Sequence, residues 1–242
     1  MKAPIPFDHG TSAVKLVAHR GLSAVERENT CAAFIAAGNR PEYWGIETDV
    51  YPTPDGQYAL LHDNRTGRVA PVDLPIRETP YETLKEIRLY DTDGVVRSDL
   101  RVPLLSEYAR ICRRYGKVSV LELKVDYTER QLSEIIDILK AADQLEHTVF
   151  ISFPRSNMVA LRKMLPTQPL QWLTGDWKDE YFDFINENDL DVDAAWTCMT
   201  PETVAAIHAA GHKVNLWTID EPEVAARFAA AGTDYITTNA LG

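Results

Sequence analysis

The sequence predicts an α/β fold, a TIM-type (β/α)8 barrel with a short insertion after the third strand segment, and three observations carry that prediction. From about residue 15 onward, short apolar runs rich in β-branched and aromatic residues alternate with amphipathic runs of helical period. Alternation of this kind means a parallel sheet with helices outside it. Two late units share one punctuation: Thr200-Pro201-Glu202 opens a helix that Gly211 closes, and Glu221-Pro222-Glu223 opens the next, closed by Gly232. Proline at the first helical position and glycine just past the end are the expected helix signals, and each glycine is followed at once by a strand run. The length of 242 residues matches the roughly 250 of a barrel built as one domain.

The strand runs fall at 16–19, 46–50, 58–62, 118–124, 149–153, 170–174, 192–196, 214–219 and 235–238. Helical runs lie between most of them, at 28–37, 105–114, 130–142, 158–165, 180–188, 202–210 and 223–231. Nine runs compete for eight barrel places. The second and third are joined by Pro54-Asp55-Gly56 with no helix between, and Asp-Gly is a hairpin signal. A hairpin rising above the barrel mouth accommodates the extra run and returns His62 to the level of Asp49. Residues 63–103 are long and polar, with weak helical character near 82–87. They read as a small insertion over the mouth, a candidate lid, within a single domain spanning 1–242.

Composition narrows the function. Hydrophobic residues make up 45% and charged residues 25%, enough apolar material for a sizeable core. The net charge of −11 disfavours nucleic acid, whose phosphates want a basic surface. Three cysteines, Cys31, Cys112 and Cys198, are far apart and lack Cys-x-x-Cys spacing, which suits a reducing compartment. No signal peptide or membrane-spanning run is visible in the sequence. A cytoplasmic protein without stable membrane insertion is the expectation; oligomeric state is not legible.

Active sites of α/β barrels lie at the C-terminal ends of the strands. The first strand ends in His19-Arg20-Gly21, the second carries Glu47 and Asp49, the hairpin return ends in His62-Asp63, and the 118–124 run carries Glu122 and Lys124. Residues two apart on a strand share a face. Glu47 with Asp49 and Glu122 with Lys124 can therefore converge. Three acids aimed into one mouth repel each other and are costly to bury without a partner. An all-oxygen set suits Mg²⁺ or Ca²⁺. The acids contribute three negative charges against two positive from Arg20 and Lys124, so a divalent cation turns the mouth fit for an anionic phosphodiester. Two histidines suit acid–base work near neutral pH, and the planar fork of Arg20 suits a phosphate oxygen.

Blander roles compete. A lone histidine at a strand end is usually a satisfied polar residue; His19 and His62 gain weight from three acids and two cations beside them. His208 and His212 flank a late helix end and read as capping or surface residues, and His9 and His147 carry no assigned role. Trp44, Trp172, Trp177 and Trp196 read as core or rim. Asn29 balances helix capping against a role near the site.

The motifs His19-Arg20-Gly21, Glu28-Asn29-Thr30, Glu47-Thr48-Asp49, Asp55-Gly56 and His62-Asp63 stand in the order found in glycerophosphodiester phosphodiesterases, and the chain resembles that family over roughly 15–239. Leu121-Glu122-Leu123-Lys124, Ser152-Phe153 and Leu216-Trp217-Thr218 are similar to later strands of the family. The resemblance implies metal-dependent hydrolysis of a small-molecule glycerophosphodiester to glycerol phosphate and an alcohol, within lipid and glycerol metabolism. His19 and His62 would be the acid–base pair. Glu47, Asp49 and Glu122 would hold Mg²⁺ or Ca²⁺. Arg20 and Lys124 would contact phosphate, and Trp217 would wall the glycerol or leaving-group side. The chain departs from the family pattern at Arg27, where proline is frequent, at Thr238-Asn239, where Thr-Asp is frequent, and after His62. Two alternatives stand beside this: a lysophospholipid-directed phosphodiesterase on the same barrel, and a non-catalytic barrel that only binds a phosphodiester.

Overall fold

The computed structural model describes residues 4–7 and 12–242. Strand β1 (Lys15–Ala18) pairs in parallel with β2 (Tyr43–Pro52) and, on its other side, with the last strand, β9 (Tyr235–Thr238). This double pairing closes the sheet. The far end of β2 pairs antiparallel with β3 (Tyr58–Leu60), while β4 (Val118–Leu123), β5 (Thr148–Ser152), β6 (Leu170–Thr174), β7 (Asp191–Ala195) and β8 (Val214–Trp217) run parallel from β2 round to β9. The result is a closed parallel barrel of eight strands with β3 outside it. Nine runs thus resolve into eight barrel strands and one hairpin return, as the Asp-Gly turn predicts.

Helices α1 (Cys31–Gly38), α3 (Leu105–Tyr115), α4 (Glu129–Ala141), α5 (Arg155–Met164), α6 (Tyr181–Asn188), α7 (Pro201–Ala209) and α8 (Pro222–Ala230) connect successive barrel strands; α2 (Tyr81–Leu84) lies in the insertion. Helix α1 starts at Cys31, three residues later than the helical run from 28 predicts. Thr30, not Asn29, is the N-cap, its side chain accepting from the Ala33 amide, and Asn29 has a positive φ of 52° that turns its side chain elsewhere.

Strand alternation sorts the core. Ile46, Val50, Leu121 and Leu123 face outward and pack with Phe34 and Tyr108 of the helices. Val17, Val120, Val149, Ile151, Leu173 and Tyr235 face inward and fill the barrel. The inward parity of β2 and β4 then places Glu47, Asp49 and Glu122 above that apolar floor, with Asp49 directly opposite Glu122 in the register. Parity, not composition, aims these acids into the mouth.

The segment 63–103 has a hydrophobic core of its own, in which Val69, Ile76, Leu84 and Leu100 pack on Tyr51 and Leu61 of the hairpin. Its chain returns to β3, where the Leu60 amide donates to the Pro103 carbonyl at 2.9 Å. Leu84 is fully buried, so Leu84→Ala is expected to cost about 2–5 kcal/mol in chemical denaturation. A cost below about 1 kcal/mol would mean a loosely attached flap. Among the described residues no helix is long and apolar enough to cross a membrane.

Candidate active site

Each barrel strand on one half of the mouth delivers a polar group. β1 leads directly into His19, Arg20 and Gly21, where the chain turns sharply. Arg20 has a φ of 55° and Gly21 of 76°. A Cβ on Gly21 would lie 2.7 Å from the Ala33 backbone, so only glycine fits there. Positive φ at a non-glycine residue is uncommon and marks a constrained position. The turn directs the Arg20 amide onto Glu47 Oε2 at 2.7 Å.

The hairpin brings His62 back as expected: the Leu61 amide donates to the Asp49 carbonyl at 3.1 Å. His19, Arg20, Glu47, His62, Glu122, Lys124 and Trp217 line one cavity of about 230 Å³, with Ile151, Phe153, Leu173, Asp193, Thr218 and Thr237 completing its wall. Asp49 lies behind it, 1% exposed. All eight residues singled out from the sequence therefore meet at one mouth. His208, paired with Asp234 at 2.8 Å, His212, bonded to Asn186 at 2.8 Å, and His147 do not line it. His9 lies outside the described residues.

Ligand atoms of Glu47, Asp49 and Glu122 lie within 4.8 Å of one another, and all three residues are buried. Lys124 Nζ bridges Asp49 Oδ1 (3.1 Å) and Glu122 Oε1 (2.8 Å). Arg20 Nε stands 3.7 Å from Asp49 Oδ2, and Asn29 Nδ2 donates to that same oxygen at 2.7 Å. Asn29 thus supports an acid of the mouth while accepting from the Thr48 hydroxyl at 2.7 Å; its side chain does not cap α1.

The electrostatics follow. Burial, and then repulsion from Asp49 and Glu122, pushes the Glu47 carboxyl well above its usual range. Burial and then Asp49 push Glu122 up to about 8. Burial works upward on Asp49 too, but Lys124 and then Arg20 outweigh it and hold this carboxyl at about 2. Burial first, and Arg20 second, hold His19 down at about 4. Burial also lowers His62. Asp49 Oδ1 and Arg20 Nε are buried without a well-oriented hydrogen bond. Three acids that resist sharing a charge, and one under-bonded acid oxygen, are the condition a hard divalent cation relieves. Arg20 Nε is a buried donor without a hydrogen-bond partner, 3.7 Å from Asp49 Oδ2, on a residue that lines the cavity.

Each histidine is held at Nδ1. His19 Nδ1 lies 2.8 Å from Asn239 Oδ1, and Asn239 is itself fixed by Asp220, to which its side chain donates at 2.7 Å. His62 Nδ1 lies 2.7 Å from Asp63 Oδ1. A carboxylate only accepts, so Nδ1 of His62 carries the proton and Nε2 is the free nitrogen. Sequence reasoning gave Asn239 no role at the site and missed Asp220 and Asp193. Asp193 was within reach, because it shares inward parity on its strand run; the others depend on contacts across 220 and 19 positions.

The model of the glycerophosphoryl diester phosphodiesterase family matches residues 19–242. A glycerophosphodiester phosphodiesterase of Bacillus altitudinis is 27% identical over 240 residues, covering 93% of this chain and 94% of the relative. One from Caldanaerobacter subterraneus subsp. tengcongensis is 26% identical over 228 residues, covering 93% of each. Among solved structures, an Oleispira antarctica phosphodiesterase in complex with the product sn-glycerol-3-phosphate superposes with a TM-score of 0.83 at 23% identity, over 93% of this chain and 92% of that one. A glycerophosphodiester phosphodiesterase from Parabacteroides distasonis gives 0.79 at 23% identity, over 95% and 94%.

Proposed function

Because the chain belongs to the glycerophosphodiester phosphodiesterase family and is thus a phosphoric diester hydrolase, we propose that it cleaves small glycerophosphodiesters to glycerol phosphate and an alcohol by two-histidine acid–base catalysis with Mg²⁺ or Ca²⁺. The observation that carries this reading is the meeting of three buried carboxylates with His19, His62, Arg20 and Lys124 around one cavity.

Glu47, Asp49 and Glu122 would hold the cation, which supplies Lewis-acid polarisation of a phosphoryl oxygen when bound. Arg20, which lines the cavity, offers its guanidinium to a phosphate oxygen. Lys124 now neutralises Asp49 and Glu122 and lies within the same cavity, where it would meet the phosphate. His19 and His62, each fixed at Nδ1, present Nε2 for proton transfer: one accepts the proton of the attacking oxygen, the other protonates the leaving alkoxide. Trp217, whose Nε1 donates to the Asp193 carbonyl at 3.3 Å, walls the opposite side. A cytoplasmic setting belongs to the same proposal, with three free cysteines in its support.

A lysophospholipid substrate is the second reading. It is favoured by the apolar wall of Ile151, Phe153, Leu173 and Trp217, with Phe153 45% exposed at the rim. Incubating the protein and added Mg²⁺ or Ca²⁺ with glycerophosphocholine, glycerophosphoethanolamine and lysophosphatidylcholine distinguishes them. Glycerol phosphate released from the water-soluble diesters is the expected result. Cleavage of the lysolipid alone selects the second reading, and binding without turnover selects a non-catalytic barrel.

A further inference from the structure

Arg68 lies in the 63–103 insertion, on a turn that is tightly held. Thr66, fully buried, donates to the Val72 carbonyl at 2.5 Å and accepts from the Leu74 amide at 3.0 Å. The amides of Val69 and Ala70 both donate to the Thr66 carbonyl at 2.9 Å, and both side chains are buried in the insertion core. The backbone of Arg68 is therefore fixed on both sides while its guanidinium reaches back to the mouth.

That guanidinium is shared between two carboxylates. Nη1 and Nη2 donate to Glu28 Oε2 and Oε1 at 2.8 and 2.7 Å, and Nε donates to Asp63 Oδ2 at 2.6 Å. Each carboxylate holds a residue of the mouth with its remaining capacity. Asp63 Oδ1 bonds His62 Nδ1 at 2.7 Å, and Glu28 Oε1 accepts from Arg20 Nη1 at 2.9 Å. One planar fork thus joins the proton-transferring imidazole to the anion-binding arginine. We propose that Arg68 is a positioning residue, setting the relative placement of His62 and Arg20 through Asp63 and Glu28; the proposal rests on the acid–base reading above.

The chemistry requires an arginine. Two parallel bonds to Glu28 and a third to Asp63 use the fixed geometry of the guanidinium, and a lysine ammonium can follow only one of the two acids closely. Arg68 is 44% exposed at its side chain, and exposed ion pairs contribute little to folding stability. The network is therefore poorly explained as a stabilising device. Its geometric consequence is larger, because small misplacements of reacting groups cost disproportionately in rate. Two further bonds brace the same region, as Arg97 Nη1 donates to Glu26 at 2.7 Å and Arg27 Nε to the Tyr90 carbonyl at 2.6 Å. The insertion is keyed to the loop before α1 at three arginines.

The test compares Arg68→Met, Arg68→Lys, Asp63→Asn and the Arg68→Met/Asp63→Asn double variant with the wild type, in kcat, KM and melting temperature. Arg68→Met should lower kcat about tenfold to hundredfold with an unchanged melting temperature, and Arg68→Lys should recover part of the loss. The double variant should be no worse than about threefold below the worse single, since both act along one path. Retention of kcat within twofold by Arg68→Met, or losses that multiply in the double variant, overturns the proposal. ¹⁵N NMR of the His62 imidazole supplies a readout free of turnover: the wild type should show the Nδ1-protonated tautomer and Arg68→Met a mixture. An inactive wild type whose His62 tautomer still depends on Arg68 would count against the acid–base reading and keep the positioning role. A tautomer indifferent to Arg68 would remove that role whatever the activity.

Discussion

Replacing His19 or His62 with alanine is expected to lower kcat by about 10²–10⁴-fold for each, with the melting temperature little changed. Both side chains line the cavity, and neither is part of the apolar core. Both are held at Nδ1, by Asn239 and by Asp63, which leaves Nε2 as the nitrogen of the proposed proton transfer. The two effects should not multiply in the double variant, because a transfer that needs both groups fails when either is missing. Steady-state kinetics on a water-soluble diester check this. Full activity in either single variant would remove that histidine from proton transfer.

The second large effect concerns the acid cluster. Glu122→Gln should abolish measurable turnover if Glu122 is the metal ligand proposed above, since loss of a direct ligand exceeds the roughly tenfold to hundredfold loss seen for outer-shell partners. The same change should stabilise the chelated protein at alkaline pH. In the metal-free fold Glu122 is pushed up to about 8 by burial and then by Asp49, whereas in the unfolded chain it titrates near about 4.3. Folding therefore takes up a proton between those values. The contribution is fully present below the unfolded value and is lost as pH rises through about 8. Denaturant melts in EDTA should show the wild type losing stability from about pH 5 to 8 through this group, a slope that Glu122→Gln flattens. A wild type that gains stability over that range would contradict the assignment.

Much of this was legible from residue order. Strand parity along 46–50 and 118–124 is enough to aim Glu47, Asp49, Glu122 and Lys124 inward. The turn at Asp55-Gly56 placed His62, because a hairpin of that length returns the chain to where it left. What stayed hidden depends on distant partners. Asn29 could cap a helix or serve the mouth, and only its φ of 52° and its bond to Asp49 decide between them. Arg68 and Glu28 are 40 positions apart, and Asn239 meets His19 across 220. No local pattern encodes such pairs. Residues 63–103 read as a polar lid for a similar reason. Their apolar residues are too scattered for a periodic signal, yet they converge on Tyr51 and Leu61.

The most direct test of the central claim follows glycerophosphocholine by ³¹P NMR with protein stripped by EDTA and then reloaded. The diester resonance should persist with the stripped protein and convert to glycerol phosphate when Mg²⁺ or Ca²⁺ is restored. Conversion by the stripped protein at the same rate, or none with either cation, would contradict it.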